Sequence, residues 1–239
     1  MSELSSGVDA LPFDQALRLA GALRAEALER AANDGLFYAS FVKTRDEADP
    51  DHSVKPFPVH LEYVQAIWKA LIENQCVVIA KSRQMLMSWI ACVFCSWWAR
   101  FKSNQAVAWQ TQKWEDACEK VAMAGVSGDT GGYMGRIQFI EYNLPGWLKQ
   151  PIRATEGRIT YSNGSVIEAL AGGADKIRGK VASVIVEDEF AFQPEARGVY
   201  TAVAPLIQKA TKFIAISTPN GGEGSIFYHI FHGIPFPNV

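Results

Sequence analysis

The chain has 239 residues, 49% hydrophobic, 20% charged and 11% aromatic, with a formal net charge of −2 at pH 7. This length and composition support a full hydrophobic core and exclude global disorder. The near-neutral balance excludes an overall basic character, so any surface for nucleic acid would be local or belong to an assembly.

The opening residues, Met1 to Ser5, lack the basic and apolar regions of a secretory signal. The apolar run from Met85 to Ala99 is too short and too interrupted to cross a bilayer. A soluble intracellular protein with no membrane association is expected. Of the four cysteines, Cys76, Cys92, Cys95 and Cys118, the pair Cys92 and Cys95 has C-x-x-C spacing. It sits inside an apolar run and no second ligand pair follows, so both are read as small core residues one helical turn apart.

In chain order, residues 17–32 carry apolar side chains at helical spacing, and the helix should stop near Asn33, Asp34 and Gly35. Residues 43–55 are polar and read as a loop. Pro56, Phe57, Pro58, Val59 and His60 then lead into a helix ending near Glu73. Residues 76–80 are a continuous apolar run, suited to a strand buried on both faces. A loop and a long apolar helix to about Phe101 follow. Residues 106–109 predict a second strand and 114–123 a second helix.

The Gly-rich, aromatic stretch 125–157 has no clear period. Residues 158–162 and 165–170, joined by Asn163 and Gly164, predict a hairpin. Residues 181–186 predict another buried strand, 194–209 a helix and 213–216 a last strand. Strands alternating with helices imply a mainly parallel sheet covered on both faces, with its site at the carboxyl ends of the strands.

Three of those ends carry polar clusters. After Val184, Ile185 and Val186 come Glu187, Asp188 and Glu189. A carboxylate at the tip of a buried strand is well placed to hold Mg²⁺, and a second beside it can deprotonate an attacking water, as in the Walker B arrangement of P-loop ATPases. On this motif alone a solvated acidic turn is an equal alternative. After residues 76–80 come Lys81, Ser82, Arg83, Gln84, Met85, Leu86, Met87 and Ser88. Of the phosphate-loop pattern G-x-x-x-x-G-K-S/T only Ser88 fits, yet strand, polar loop and helix N-terminus stand in the order that binds phosphate. The last strand ends in Ser217, Thr218 and Pro219, which by themselves are ordinary turn residues.

Taken in this order, the three pieces resemble the ATPase domain of the large terminase subunit of tailed bacteriophages, over about residues 37–231. In one branch of that family the phosphate-loop lysine opens the loop, in patterns such as K-S-R-Q-x-G-x-S. Lys81 to Ser88 is similar to that form and departs from it at Leu86, where the family has Gly. The resemblance implies a P-loop NTPase of the ASCE type spanning residues 37–239, preceded by a helical arm at 1–36.

It implies ATP and Mg²⁺ as cofactors, with Lys81 to Ser88 on the phosphates, Ser88 and Asp188 on the metal, and Glu189 as catalytic base. Ser217, Thr218 and Pro219 would form the coupling motif, and His60 would lie in the adenine-contacting segment. Arg83, acting in cis, and Arg178, acting on a neighbouring subunit, are two candidates for an arginine finger. The implied function is ATP-driven translocation of double-stranded DNA into a procapsid in the host cytoplasm. The implied partners are the portal protein, a small terminase subunit and further copies of the chain in a ring. The family's nuclease domain is not represented in this sequence, so nuclease activity is not expected. Another DNA-translocating or repair ATPase of the same fold, and a degenerate terminase scaffold, remain open alternatives.

Overall fold

The computed structural model describes residues 13–46, 53–82, 86–112 and 132–234. Helix α1 (Phe13–Asn33) is followed by the short α2 (Gly35–Ala39), whose first turn is capped by the Asp34 carboxylate accepting from the Phe37 amide at 3.0 Å. Strands β1 (Lys43–Arg45) and β2 (Val54–Pro56) form a small antiparallel ladder, with Thr44 opposite Lys55. This corrects the loop expected at 43–55. Its polar composition hides the strands because only Thr44 is buried, and the ladder is tied by a Lys55–Asp46 ion pair at 2.8 Å.

Helix α3 (Glu62–Glu73) leads to the main sheet: β3 (Cys76–Ala80), β4 (Ala106–Thr111), β5 (Ile152–Thr155), β6 (Arg158–Tyr161), β7 (Val166–Ala171), β8 (Val184–Asp188) and β9 (Lys212–Ser217). The helices between them are α4 (Met87–Phe101), α5 (Tyr133–Asn143), α6 (Ala174–Ile177), α7 (Ala196–Gln208) and, after β9, α8 (Ile226–His232). The strand order is β3-β9-β8-β4-β7-β6-β5. The four pairs from β3 to β7 are parallel, and β7-β6 and β6-β5 are antiparallel. The expected hairpin is β6-β7, and Gly164 takes the left-handed φ of 83° that its Asn-Gly turn needs.

Alternation along the parallel strands sorts the core into two layers. Val107, Trp109, Val184, Val186, Ile214 and Ile216 face the layer that contains α4. Ala108, Ile185, Phe213 and Ala215 face the layer built on α7, with Val199 and Val203, and on α8, with Ile226 and Phe227. A fully buried aliphatic side chain contributes roughly 1.5–3 kcal/mol, so these interleaved positions fix which residues at each strand end emerge on which side.

The strand expected from residue 181 begins at Val184, because Val181 is 92% exposed, and it runs on through Asp188. Helix α4 is buried around nearly its whole circumference, Cys92 and Cys95 included, which agrees with the core reading of that pair. Burial pushes the Cys92 thiol up to about 12. The helix expected at 114–123 lies outside the described residues. Among the described residues no helix is long and apolar enough to cross a membrane.

Candidate functional site: carboxylates and a lysine at the strand ends

The carboxyl ends of β3, β9 and β8 lie side by side, and each delivers one of the three predicted clusters. Alternation within β8 splits its acidic end. Asp188 shares the face of Val186, towards α4 and α5, and Glu187 shares the face of Ile185. Glu189 follows in a left-handed conformation, φ 46° and ψ 41°, and its carbonyl accepts from the Phe192 amide to start a single 3-10 turn, Phe190–Phe192. That turn aims the Glu189 side chain back over the sheet.

Lys81 connects the clusters. Its amide donates to the Ser217 carbonyl at 2.9 Å, one rung beyond the β3-β9 ladder. Its Nζ lies 2.8 Å from Glu189 Oε1 and 3.9 Å from Asp188 Oδ1. The other Glu189 oxygen lies 3.4 Å from both the Ser217 hydroxyl and the Thr218 amide. Ser217 Oγ also accepts from the Ala191 amide at 3.1 Å. Pro219 is exposed just beyond.

Asp188 is nearly buried. Its carboxyl is pushed up to about 6 by desolvation, which the Lys81 ammonium partly offsets and the neighbouring Glu189 charge reinforces. Its Oδ2 accepts from the Tyr133 hydroxyl, and its Oδ1 is buried with no hydrogen-bond partner. Glu187 is fully buried, and burial raises its carboxyl well above the ordinary range. Its Oε2 accepts from Gln193 Nε2 at 3.0 Å, and that same amide group donates to the Asp188 carbonyl at 3.1 Å.

Beside these groups opens a cleft of about 660 Å³. Lys81, Ser82, Leu86, Met87 and Ser88 line it from the predicted phosphate loop, and Thr44, Lys55, Pro56 and Pro58 from the β1-β2 ladder and the segment after it. Among the described residues its charged lining is Arg45, Asp46, Lys55, Lys81 and Arg136, with Lys55 paired to Asp46 and Lys81 to Glu189 and Asp188. Leu86 occupies the residue before α4 with φ 54° and ψ 12°. That is the left-handed region, which costs a residue with a Cβ roughly 1–2 kcal/mol and costs glycine nothing.

Of the predicted residues, Lys81, Asp188, Glu189, Ser217 and Thr218 are thus brought together, with Ser82 and Ser88 on the adjoining cleft. Arg83, Gln84 and Met85 lie outside the described residues. His60 is exposed and does not line the cleft, although Pro56 and Pro58 of the same segment do. Arg178 is on the surface, paired with Asp175 at 2.9 Å, and is not part of the cluster.

Sequence reasoning missed Tyr133 and Arg136, one turn apart on α5. Tyr133 stacks on Trp109, ring centroids 4.5 Å apart, while its hydroxyl holds Asp188. The only local signal was aromatic content in a stretch without a period.

No family model matches the sequence. Among solved structures, the fold is similar to the large terminase of bacteriophage HK97, with a TM-score of 0.61 at 9% identity, over 84% of this chain and 40% of that one. It is also similar to the large terminase ATPase domain of a Thermus phage, with a TM-score of 0.55 at 16% identity, over 74% of this chain and 71% of that one. At such identities the likeness establishes the architecture. The chain has the α/β fold of phage large terminase ATPase domains, a P-loop-type sheet with the three polar strand ends at its carboxyl edge.

Proposed function

We propose that the chain is an Mg²⁺-dependent ATPase that drives double-stranded DNA into a procapsid, with residues 37–239 as its motor domain and 1–36 as an arm. The observation that carries this reading is the Lys81 ammonium lying between Glu189 and Asp188 at the lip of the cleft. The fold likeness to terminase ATPase domains supports it.

Asp188 and Ser88 are suited to hold Mg²⁺. The buried Oδ1 of Asp188 lacks a hydrogen-bond partner and has only the Lys81 ammonium at 3.9 Å, and one or two carboxylates with substrate phosphates are the usual protein share of such a site. When bound there, the ion would neutralise charge that develops on the phosphate oxygens. Lys81, Ser82 and the start of α4 bind the phosphates. Glu189 takes the proton of the attacking water, oriented by Ser217 and the Thr218 amide. Through those same contacts the segment Ser217, Thr218 and Pro219 registers the state of the base, which suits it to coupling. Arg178, exposed on the surface, would act on a neighbouring copy in a ring. Action at a portal, with a small terminase subunit, in the host cytoplasm completes the reading.

A non-hydrolysing scaffold is the second reading, favoured by Leu86 in a left-handed position where glycine would suit the loop. Phosphate release by the full chain, with DNA and portal supplied, separates the two. General-base loss typically costs about 10²–10⁴-fold, so Glu189→Gln should lower turnover by at least about 100-fold. Wild-type turnover no higher than that of Glu189→Gln would overturn the motor reading and favour the scaffold.

A further inference from the structure

Helix α5 contributes a cation that no motif accounts for. Arg136 lines the same cleft as Lys81, Ser82 and Ser88. Its guanidinium carbon stands 5.7 Å from the ring centroid of Trp89 and 5.5 Å from that of Tyr133. Its Nε is buried with no hydrogen-bond partner, and among the described residues no carboxylate pairs with it. A guanidinium has five donors in a planar fork that fits two phosphate oxygens at once. Leaving such a group half-desolvated and without a counter-ion costs free energy unless an anion completes it. The two rings hold the plane in place, so little side-chain entropy remains to be lost on binding.

Its position along the cleft narrows the anion. Trp89 directly follows Ser88, and Tyr133 holds the Asp188 carboxylate. Arg136 and Asp188 are both close enough to the Cys92 thiol, one turn along α4 from Ser88, to act on it electrostatically. The guanidinium is therefore on the same helix face that meets the Asp188 carboxylate, beside the start of α4.

We propose that Arg136 is a substrate-contacting residue that binds the terminal phosphate of a nucleoside triphosphate, acting in cis from α5. The proposal rests on the nucleotide reading above and deepens it: the site discriminates triphosphate from diphosphate through this side chain. The tyrosine one turn earlier holds the carboxylate, so one helix face serves both the metal end and the phosphate end of the same site.

The test is titration calorimetry of the full chain with Mg²⁺ and either the slowly hydrolysed analogue ATPγS or ADP. Arg136→Ala should weaken ATPγS binding by tenfold or more and ADP binding by less than threefold, and Arg136→Lys should restore part of the discrimination. Arg136→Met keeps an aliphatic stem over Trp89 and is read in the same way, so that a packing defect in the alanine variant does not decide the result. Equal losses for both nucleotides in the alanine and methionine variants, or no loss, would overturn the assignment while leaving nucleotide binding intact. Failure of the wild-type chain to bind either nucleotide would overturn both this assignment and the reading on which it rests.

Discussion

Asp188, like Glu187 beside it, is a residue whose ionisation the fold works against. An ordinary aspartate titrates near 4, and here desolvation lifts the carboxyl to about 6. The folded protein therefore holds this proton more tightly than the unfolded chain does. In the metal-free protein the associated stability is fully present below pH 4 and is lost as pH rises through 6. The loss is on the order of 2–3 kcal/mol at neutral pH. Denaturant midpoints in EDTA at pH 5 and pH 7 should fall more steeply for wild type than for Asp188→Asn, which has no charge to develop. Parallel behaviour of the two proteins would remove Asp188 as the cause. Leu86 tells a related story. The sequence departs from the phosphate-loop pattern at this position, and here the backbone turns left-handed. The departure is thus conformational as well as chemical, since any side chain at that position strains the turn.

At the level of elements, α5 explains both what the sequence made legible and what it concealed. Residues 184–186 and 213–216 are continuous apolar runs, as parallel strands covered on both faces require, whereas the similar run 76–80, expected to be buried on both faces, lies at the sheet edge with only Val77 buried. The polar clusters at their ends were legible for the same reason, because a charged residue has no other place on a buried strand. Helix α5 breaks the rule that makes helices readable: its inward face includes Gln138 and Glu141 as well as Met134, Ile137 and Ile140. Tyr133 and Arg136 were concealed with it.

The cause is a buried polar network. Glu141 pairs with Arg100 of α4 and accepts from Ser96 Oγ at 2.7 Å and from Tyr161 Oη at 2.8 Å. Tyr38 Oη lies 2.6 Å from the same Ser96 hydroxyl, and Arg100 donates to the Leu148 carbonyl at 2.6 Å. This clamp fixes α5 against α4, and so places Tyr133 and Arg136 relative to Ser88. Removing one partner of a buried pair costs about 3–5 kcal/mol, because the other charge is left unpaired. Glu141→Ala should therefore lower the unfolding free energy by that amount in a denaturant titration. A double variant with Arg100→Met should recover much of the loss. A loss below 1 kcal/mol in the single variant would mean the network does not hold the helix.

On the scale of the whole molecule, the sheet brings together residues more than a hundred positions apart, such as Lys81 and Glu189. Spacing in the chain gives no measure of such distances, so the order of motifs along the sequence was informative and their contacts were not. The β1-β2 ladder shows the same limit. Its residues read as a polar loop, yet Thr44, Arg45 and Lys55 form one wall of the cleft. A ligand held between that wall and the phosphate loop joins two parts of the molecule. At 100 times its dissociation constant it would stabilise the folded state by about 2.7 kcal/mol. For a chain of this length that corresponds to roughly 5–10 °C in melting temperature. Thermal unfolding with Mg²⁺ and ATPγS should show a shift of that size, and a flat response to saturating nucleotide would contradict the assignment of the cleft.

The contact between the Lys81 ammonium and Glu189 Oε1, 2.8 Å apart, makes the resting site a closed circuit of charge. On the proposed nucleotide reading, a phosphate arriving at this lysine would not find a free cation and would have to displace a carboxylate already seated there. Binding is then an exchange of one anion for another, and its free energy is the difference between two ion pairs. On the proposed reading the exchange would also set the timing, because Glu189 as base would be released from its lysine by the same substrate it is to act on. Replacing Glu189 with Gln removes the resident competitor. That variant should bind ATPγS more tightly than wild type, by about threefold to tenfold for the roughly 1 kcal/mol a partly exposed pair contributes, in the same protein whose turnover is lost.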